Sequence, residues 1–196
     1  MFMSAKAKIF ISVLTAITLW GCHGGGNSNP VPKPDGWPRI ETPDAEYSEQ
    51  NLDGTVVRLN KSASITIRPA NGGVWADIVY PQFHGATIYL SLIETDNLDE
   101  AIANRHQRME LNTHGATTEL TQLVSDGGWT TEMAVTRSST TTPVQIIAHD
   151  NHSRLLTGAL YLNLPPESSA DSISPIVNTV SRDLSEALRY LRKADN

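Results

Sequence analysis

The stretch from Ile173 to Leu191 constrains this chain more than any other segment. Ile173, Ile176, Val177, Val180, Leu184, Ala187, Leu188 and Leu191 recur at helical spacing and fall on one face. A helix with an apolar stripe this wide gains most of its stability by laying the stripe on another layer. Ser174 followed by Pro175 predicts its start, since proline at the first helical position gives up an N–H that has no partner there anyway. Arg189, Arg192 and Lys193 load the far end with charge that complements the helix dipole. The rest of the chain must therefore offer an apolar face long enough to receive it.

Alternating sequence supplies that face. Ala86, Ile88, Leu90 and Leu92 alternate with Thr87, Tyr89 and Ser91, the pattern of a half-buried strand. Ala63, Ile65 and Ile67 alternate with Ser62, Ser64, Thr66 and Arg68. Val74 to Tyr80 is apolar except for Asp77, and Pro69 to Gly73 carries turn chemistry. Further strands are expected at Thr55 to Leu59, Thr117 to Val124, Thr131 to Val135, Pro143 to Ala148 and Leu155 to Leu164. Asp150-Asn151 suits the hairpin turn before the last of these. A second helix is expected from Asp96 or Asn97 to His114-Gly115, with Leu98, Ala101, Ile102 and Met109 as its apolar stripe. The fold class is therefore α+β, a mainly antiparallel sheet covered by two amphipathic helices. Its spacing loosely resembles the Mog1/PsbP-like sandwich.

The N-terminus reads as an export segment. Lys6 and Lys8 precede a mostly apolar run from Ile9 to Trp20, which is too short to span a bilayer. Leu19-Trp20-Gly21-Cys22 follows and resembles a bacterial lipobox. Cys22 is the only cysteine in the chain, and as a free thiol it would stand unpaired in an oxidising compartment. The expected organisation is a signal peptide over 1–21, a Gly/Pro-rich tether over 22–43 from a lipidated Cys22, and one α+β domain over 44–196. The competing reading is a cleaved secretory signal with an incidental cysteine.

Composition and motifs narrow the function. Lys plus Arg is 15 against 21 for Asp plus Glu, a net charge of −6 with no basic stripe, which argues against a nucleic-acid partner. A single cysteine excludes a disulfide framework. There is no P-loop, no G-x-S-x-G and no His-Glu-x-x-His. His149-Asp150-Asn151-His152 is the nearest approach to a metal cluster, but its residues are those a hairpin turn uses. His84 has no visible carboxylate or nucleophile to work with, and His106 lies near the second helix's apolar stripe, where a hydrogen-bonded core histidine is expected. Glu94, Asp96, Asp99 and Glu100 gather where helix capping explains them. No catalytic residue, metal or cofactor is expected. Trp37, Arg39 and Phe83 are the candidate partner contacts, because aromatics and arginine are enriched where interfaces concentrate their energy. The alternative for Trp37 and Phe83 is that they seal the core.

Several segments, in order, resemble the GldD gliding-motility lipoprotein family of Bacteroidota. They are Pro32-Lys33-Pro34-Asp35-Gly36-Trp37-Pro38-Arg39-Ile40, Tyr80-Pro81-Gln82-Phe83, and Ala86-Thr87-Ile88-Tyr89-Leu90-Ser91. Asn97-Leu98, Thr142-Pro143-Val144-Gln145 and Leu156-Thr157-Gly158-Ala159-Leu160-Tyr161-Leu162-Asn163 continue the match. Ser174-Pro175, Asp183-Leu184 and Leu188-Arg189-Tyr190 end it. Family members tend to carry an arginine where Asp35 stands, an aromatic where Pro38 stands and a Cys-Pro-Tyr-like stretch where Ser62 to Arg68 lies. The resemblance implies a non-enzymatic accessory or scaffold lipoprotein of the gliding and type IX secretion machinery. It would be held by lipid, palmitate included, in the cell membrane or outer membrane, facing the periplasm among other envelope proteins. The alternative is an envelope lipoprotein that binds a small ligand or a glycan such as peptidoglycan. If Cys22 is the anchor, Cys22→Ser moves the protein from the membrane to the soluble fraction. Retention of that variant on membranes after a high-salt wash, read by fractionation and immunoblot, would refute the anchor.

Overall fold

Strands form where the alternation predicts them, and every pairing between them is antiparallel. The computed structural model describes residues 41–113, 115–137, 141–163 and 169–195. Its first half runs β1 (Tyr47–Leu52), β2 (Thr55–Asn60), β3 (Ser64–Ala70), β4 (Gly73–Tyr80), a 3-10 turn (Pro81–Phe83), β5 (Ala86–Glu94) and α1 (Leu98–Thr113). The second half runs β6 (Glu119–Val124), β7 (Thr130–Val135), β8 (Val144–His149), β9 (Arg154–Tyr161), α2 (Ala170–Arg189) and β10 (Arg192–Lys193). The expected α+β class holds, but with two sheets instead of one. A seven-stranded sheet is ordered β3-β4-β5-β9-β8-β7-β6, and a three-stranded sheet β1-β2-β10.

One face of the large sheet is closed. Ile78 of β4 stands opposite Ile88 of β5, which stands opposite Leu160 of β9. One row along, Ala76, Leu90, Gly158, Ile146 and Met133 cross five strands in register. The predicted stripe of α2 packs on this face, and Leu52, Val57 and Leu59 of the small sheet join the same buried cluster. Each Leu, Ile or Val so buried contributes about 1.5–3 kcal/mol. Gly158 belongs to the same packing. A Cβ there would collide with the end of the Leu90 side chain and press on Ile146, so any larger residue would force those two side chains to shift over β9.

Several elements differ from the sequence reading, among them β9, which ends at Tyr161 and not Leu164, and β6, which begins at Glu119 and not Thr117. Helix α2 begins at Ala170 with Ser169 as its N-cap, accepting from the Ser172 N–H at 3.3 Å, and Pro175 lies inside the helix. Proline there forfeits only the bond to the Asp171 carbonyl, near a helix end and on an exposed side, where water can replace it. At its other end the helix stops at Arg189, and Arg192–Lys193 peels away to pair with Val56 and Thr55 of β2. Strand β1 is mostly polar and carries no alternating apolar signal; pairing with β2 creates it. Finally, Pro69 and Ala70 stay in β3, leaving Asn71-Gly72 as the turn, with Gly72 at φ 74°. Proline is tolerated there because β3 is an edge strand.

Two polar knots fix α2 between the sheets. Asp183 is 3% exposed and accepts from the Tyr47 hydroxyl at 3.0 Å and the Tyr80 hydroxyl at 3.1 Å. Arg182 adds bonds from Nη2 at 3.0 Å and Nε at 3.2 Å. Burial, reinforced by the Asp183 charge, pushes both phenols above the ordinary tyrosine value, so both remain donors. At the helix C-terminus, Ser125 Oγ donates to the Leu191 carbonyl at 2.7 Å, and the Asp126 N–H donates to the Arg189 carbonyl at 2.8 Å. These bonds tie the β6–β7 hairpin to the end of α2.

Truncating the face that α2 buries therefore destabilises the domain. Leu184, 3% exposed, is the test: Leu184→Ala lowers stability by about 2–5 kcal/mol in a denaturant titration. An unchanged midpoint would show that the stripe is not packed. The β8–β9 turn gives a pH prediction. Asp150 Oδ1 accepts from the N–H groups of His152, Ser153 and Arg154 at 2.9, 3.0 and 2.9 Å. Partial burial alone would raise its pKa, but those three donors outweigh burial and lower it. With the folded-state value below the unfolded one, the stabilisation is complete above the unfolded value and is lost as pH falls through the folded value. Asp150→Ala consequently melts at lower temperature than wild type near neutral pH, and the gap closes as the buffer is taken down to about pH 2. A gap that is constant with pH would show that the ionised carboxylate does not stabilise the turn.

Candidate functional site

The opposite face of the large sheet is only partly covered. Helix α1 is capped by Asn97, whose Oδ1 accepts from the Glu100 N–H at 3.3 Å while its Nδ2 donates to Glu100 Oε2 at 2.8 Å. It lies over β8 and β9. Asn112 Nδ2 donates to Gln145 Oε1 of β8 at 3.0 Å, and His106 Nε2 meets Glu132 Oε2 of β7 at 2.7 Å. None of its described residues is fully buried, so the stripe of Leu98, Ala101, Ile102 and Met109 rests shallowly on the sheet. Beside it the sheet is open to solvent: Trp75 of β4 is 52% exposed, Tyr89 of β5 49% and Tyr161 of β9 43%.

Strand register assembles a groove there. Arg68 faces Trp75, Trp75 faces Ser91, and Ser91 faces Thr157 across four neighbouring strands. One pair further on, Asp77 faces Tyr89, and Tyr89 faces Ala159. Small side chains at Ser91, Thr157 and Ala159 leave a trough between the aromatic strands and α1. The resulting cavity has a volume of about 380 Å³, with Arg105, Arg108, Met109 and Asn112 on its helical side. The Tyr89 and Tyr161 rings meet edge to face, centroids 5.4 Å apart at 66°.

The charges are unequal. Arg68 Nη2 donates to both carboxylate oxygens of Asp77 at 2.7 Å, which satisfies the one acid in the lining. Arg105 and Arg108 add two positive charges with no ion-pair partner among the described residues. The groove is therefore net positive on a chain whose net charge is −6. Exposed aromatic faces and free guanidinium groups are equipped for recognition: stacking on an apolar ring face, and paired hydrogen bonds to a planar anion.

The residues singled out from sequence lie elsewhere. Phe83 is 1% exposed and stacks on Tyr80 with centroids 5.8 Å apart at 18°, so it seals the core and is removed from the surface a partner could touch. Cys22, Trp37 and Arg39 lie outside the described residues. His149 is half-buried at the end of β8 with its Nδ1 unpartnered, and His152 Nδ1 turns back to the Asp150 carbonyl at 2.7 Å. No group of three metal-capable side chains occurs among the described residues. His84 sits exposed at φ 54°, in a turn. His106, expected in the core, has its side chain 45% exposed, because the ring points along the sheet surface to Glu132 and not into the apolar stripe.

Trp75, Tyr89, Tyr161, Arg105 and Arg108 escaped notice in the sequence. The signal was present in part: Tyr89 and Tyr161 are large aromatics at outward positions of strands whose inward positions are Ile88, Leu90 and Leu160. Arg105 and Arg108, three apart on one helical face, were legible as a pair but not as neighbours of those rings.

Among the described residues no helix is long and apolar enough to cross a membrane. A search of curated proteins finds no match. The family model described as gliding motility lipoprotein GldD matches residues 27–192. The match takes in the seven-stranded sheet, both helices, all of the small sheet but Lys193 and every residue of the groove, and this chain belongs to the gliding motility lipoprotein GldD family.

Proposed function

We propose that the protein is a non-enzymatic accessory component of the gliding and type IX secretion machinery, held at the periplasmic surface of the cell membrane or outer membrane by acylated Cys22. It acts by binding. The observation that supports this reading is the exposed groove on the open face of the sheet. Its lining combines three solvent-facing aromatic rings with three arginines, residue types that dominate binding energy. Its single carboxylate is already engaged by Arg68. Such a surface is built for recognition, and the closed face, with Asp183 and the α2 stripe, serves as its rigid support.

The anchor and the groove have complementary roles. The lipobox-like cysteine lies just ahead of the region that matches the family, and lipid chains there would hold the domain near a membrane. The Gly/Pro-rich tether would let it reach neighbouring envelope components.

The test is in vivo crosslinking. In envelopes crosslinked before extraction, wild type recovers components of the gliding or secretion apparatus. Replacing Trp75 and Tyr161 together by alanine reduces that recovery severalfold at unchanged protein level, because both rings are surface residues that the core does not need. Undiminished recovery from the double variant would move the contact away from the groove. Recovery of no machinery component from wild type would overturn the accessory role.

A further inference from the structure

We infer that the groove beside α1 binds a carboxylate-bearing glycan. This rests on the reading of the groove as a recognition surface and names its ligand class.

Three features of the groove point to this ligand together. The first is the aromatic arc. Trp75, Tyr89 and Tyr161 stand about half exposed along one side of the trough, with the Tyr89 and Tyr161 rings packed edge to face. A saccharide ring has one apolar face of C–H groups, and a flat aromatic ring is its natural complement. The hydroxyls on the other sugar edges need polar partners close by. The trough offers Ser91, Thr157 and Asn112, with Asp77 held in place by Arg68.

The second feature is charge. Three arginines and one aspartate are the charged side chains of the lining. Arg68 is committed to Asp77, while Arg105 and Arg108 are left without an ion-pair partner among the described residues. Two free guanidinium groups on the helical wall, across from the aromatic arc, are placed to pair with carboxylates of a ligand lying between them. A positive groove favours an acidic glycan over a neutral one of the same size.

The third is shape. A cavity of about 380 Å³ lies within the usual span for small-molecule sites, about 300–1,000 Å³. It is a trough on a sheet surface and not a closed chamber, so a ligand can extend beyond it along a chain of sugars. Its small-residue floor follows from strand register: Ser91, Thr157 and Ala159 sit side by side beneath the ligand position. Larger side chains at those positions would fill it.

A carboxylate-bearing glycan has two sources, peptidoglycan, through its stem-peptide carboxylates or the lactyl carboxylates of units that lack a stem peptide, and the uronate units of an acidic polysaccharide. The full-length protein in detergent micelles is titrated with three probes: soluble peptidoglycan strands, a galacturonate hexamer and a chitin hexamer. Binding is followed by calorimetry and by tryptophan fluorescence; the chain has four tryptophans, so the share that reports the groove is the part of the change lost in Trp75→Ala.

Either acidic glycan is expected to bind at least about tenfold more tightly than neutral chitin, and the one that does identifies the source. Trp75→Ala is expected to weaken that binding about tenfold, and Arg105→Ala with Arg108→Ala to weaken it similarly and to flatten its salt dependence. Circular dichroism verifies that both variants remain folded. Failure of both acidic glycans to bind at millimolar concentration, binding of chitin as tightly as either, or variants that bind like wild type would each overturn the inference. If glycans fail while machinery recovery still depends on Trp75 and Tyr161, the ligand class falls and the accessory role stands.

Discussion

The carboxylate of Asp183 lies in the core between α2 and the strands, and the arrangement of both sheets depends on how it is satisfied. A buried acid is costly unless each lone pair finds a donor. Here Tyr47 comes from the small sheet, Tyr80 from the large sheet and Arg182 from the helix itself. One side chain thus specifies the relative positions of three layers that apolar packing alone would leave free to slide. Apolar contacts around Leu184, Val180 and Ile176 supply the bulk of the stabilisation, and the hydrogen bonds select one registration of it.

With one face of the large sheet consumed by that packing, the other is left to meet solvent. Helix α1 lies over β8 and β9, where Gln145, Ile147 and Leu155 are buried, and the strands beyond it keep their outward side chains in solvent. The same alternation that sends Ile88 and Leu90 into the core sends Tyr89 and Ser91 outward. A rigid sheet then holds three rings and an Arg68–Asp77 pair in fixed relation, and a surface of that kind would lose little freedom on meeting a ligand. Gly158 connects the two faces: its missing side chain tightens the core on one side, while Thr157 and Ala159, its neighbours, floor the groove on the other.

Much of this was legible from residues alone. Strict alternation located β5, the α2 stripe was read residue by residue, and Asp150-Asn151 marked its hairpin, with Asn151 at φ 64°. What misled were local signals that tertiary contacts overrode. Ser174-Pro175 looks like a helix start, yet Ser169 caps the helix more than a turn earlier. Phe83 is a candidate contact because aromatics are enriched where interfaces concentrate their energy, but the turn folds its ring onto Tyr80. Strand β1 carried no signal because a strand whose residues are mostly polar exists only through its partner.

Sequence by itself determined the local periods, and hence the number and kind of most elements, the inward residues of β5 and α2, the family and the cysteine expected to carry lipid. Those follow from spacing and short motifs that need no distant contact. Only tertiary structure decided that the strands divide into two sheets, that Asp183 joins them, and that Arg68 of β3, Trp75 of β4 and Arg105 of α1 line one trough. The reason is physical: a groove across several strands and a helix is set by pairing register and by where the helix comes to rest, and both are interactions between residues far apart in the chain.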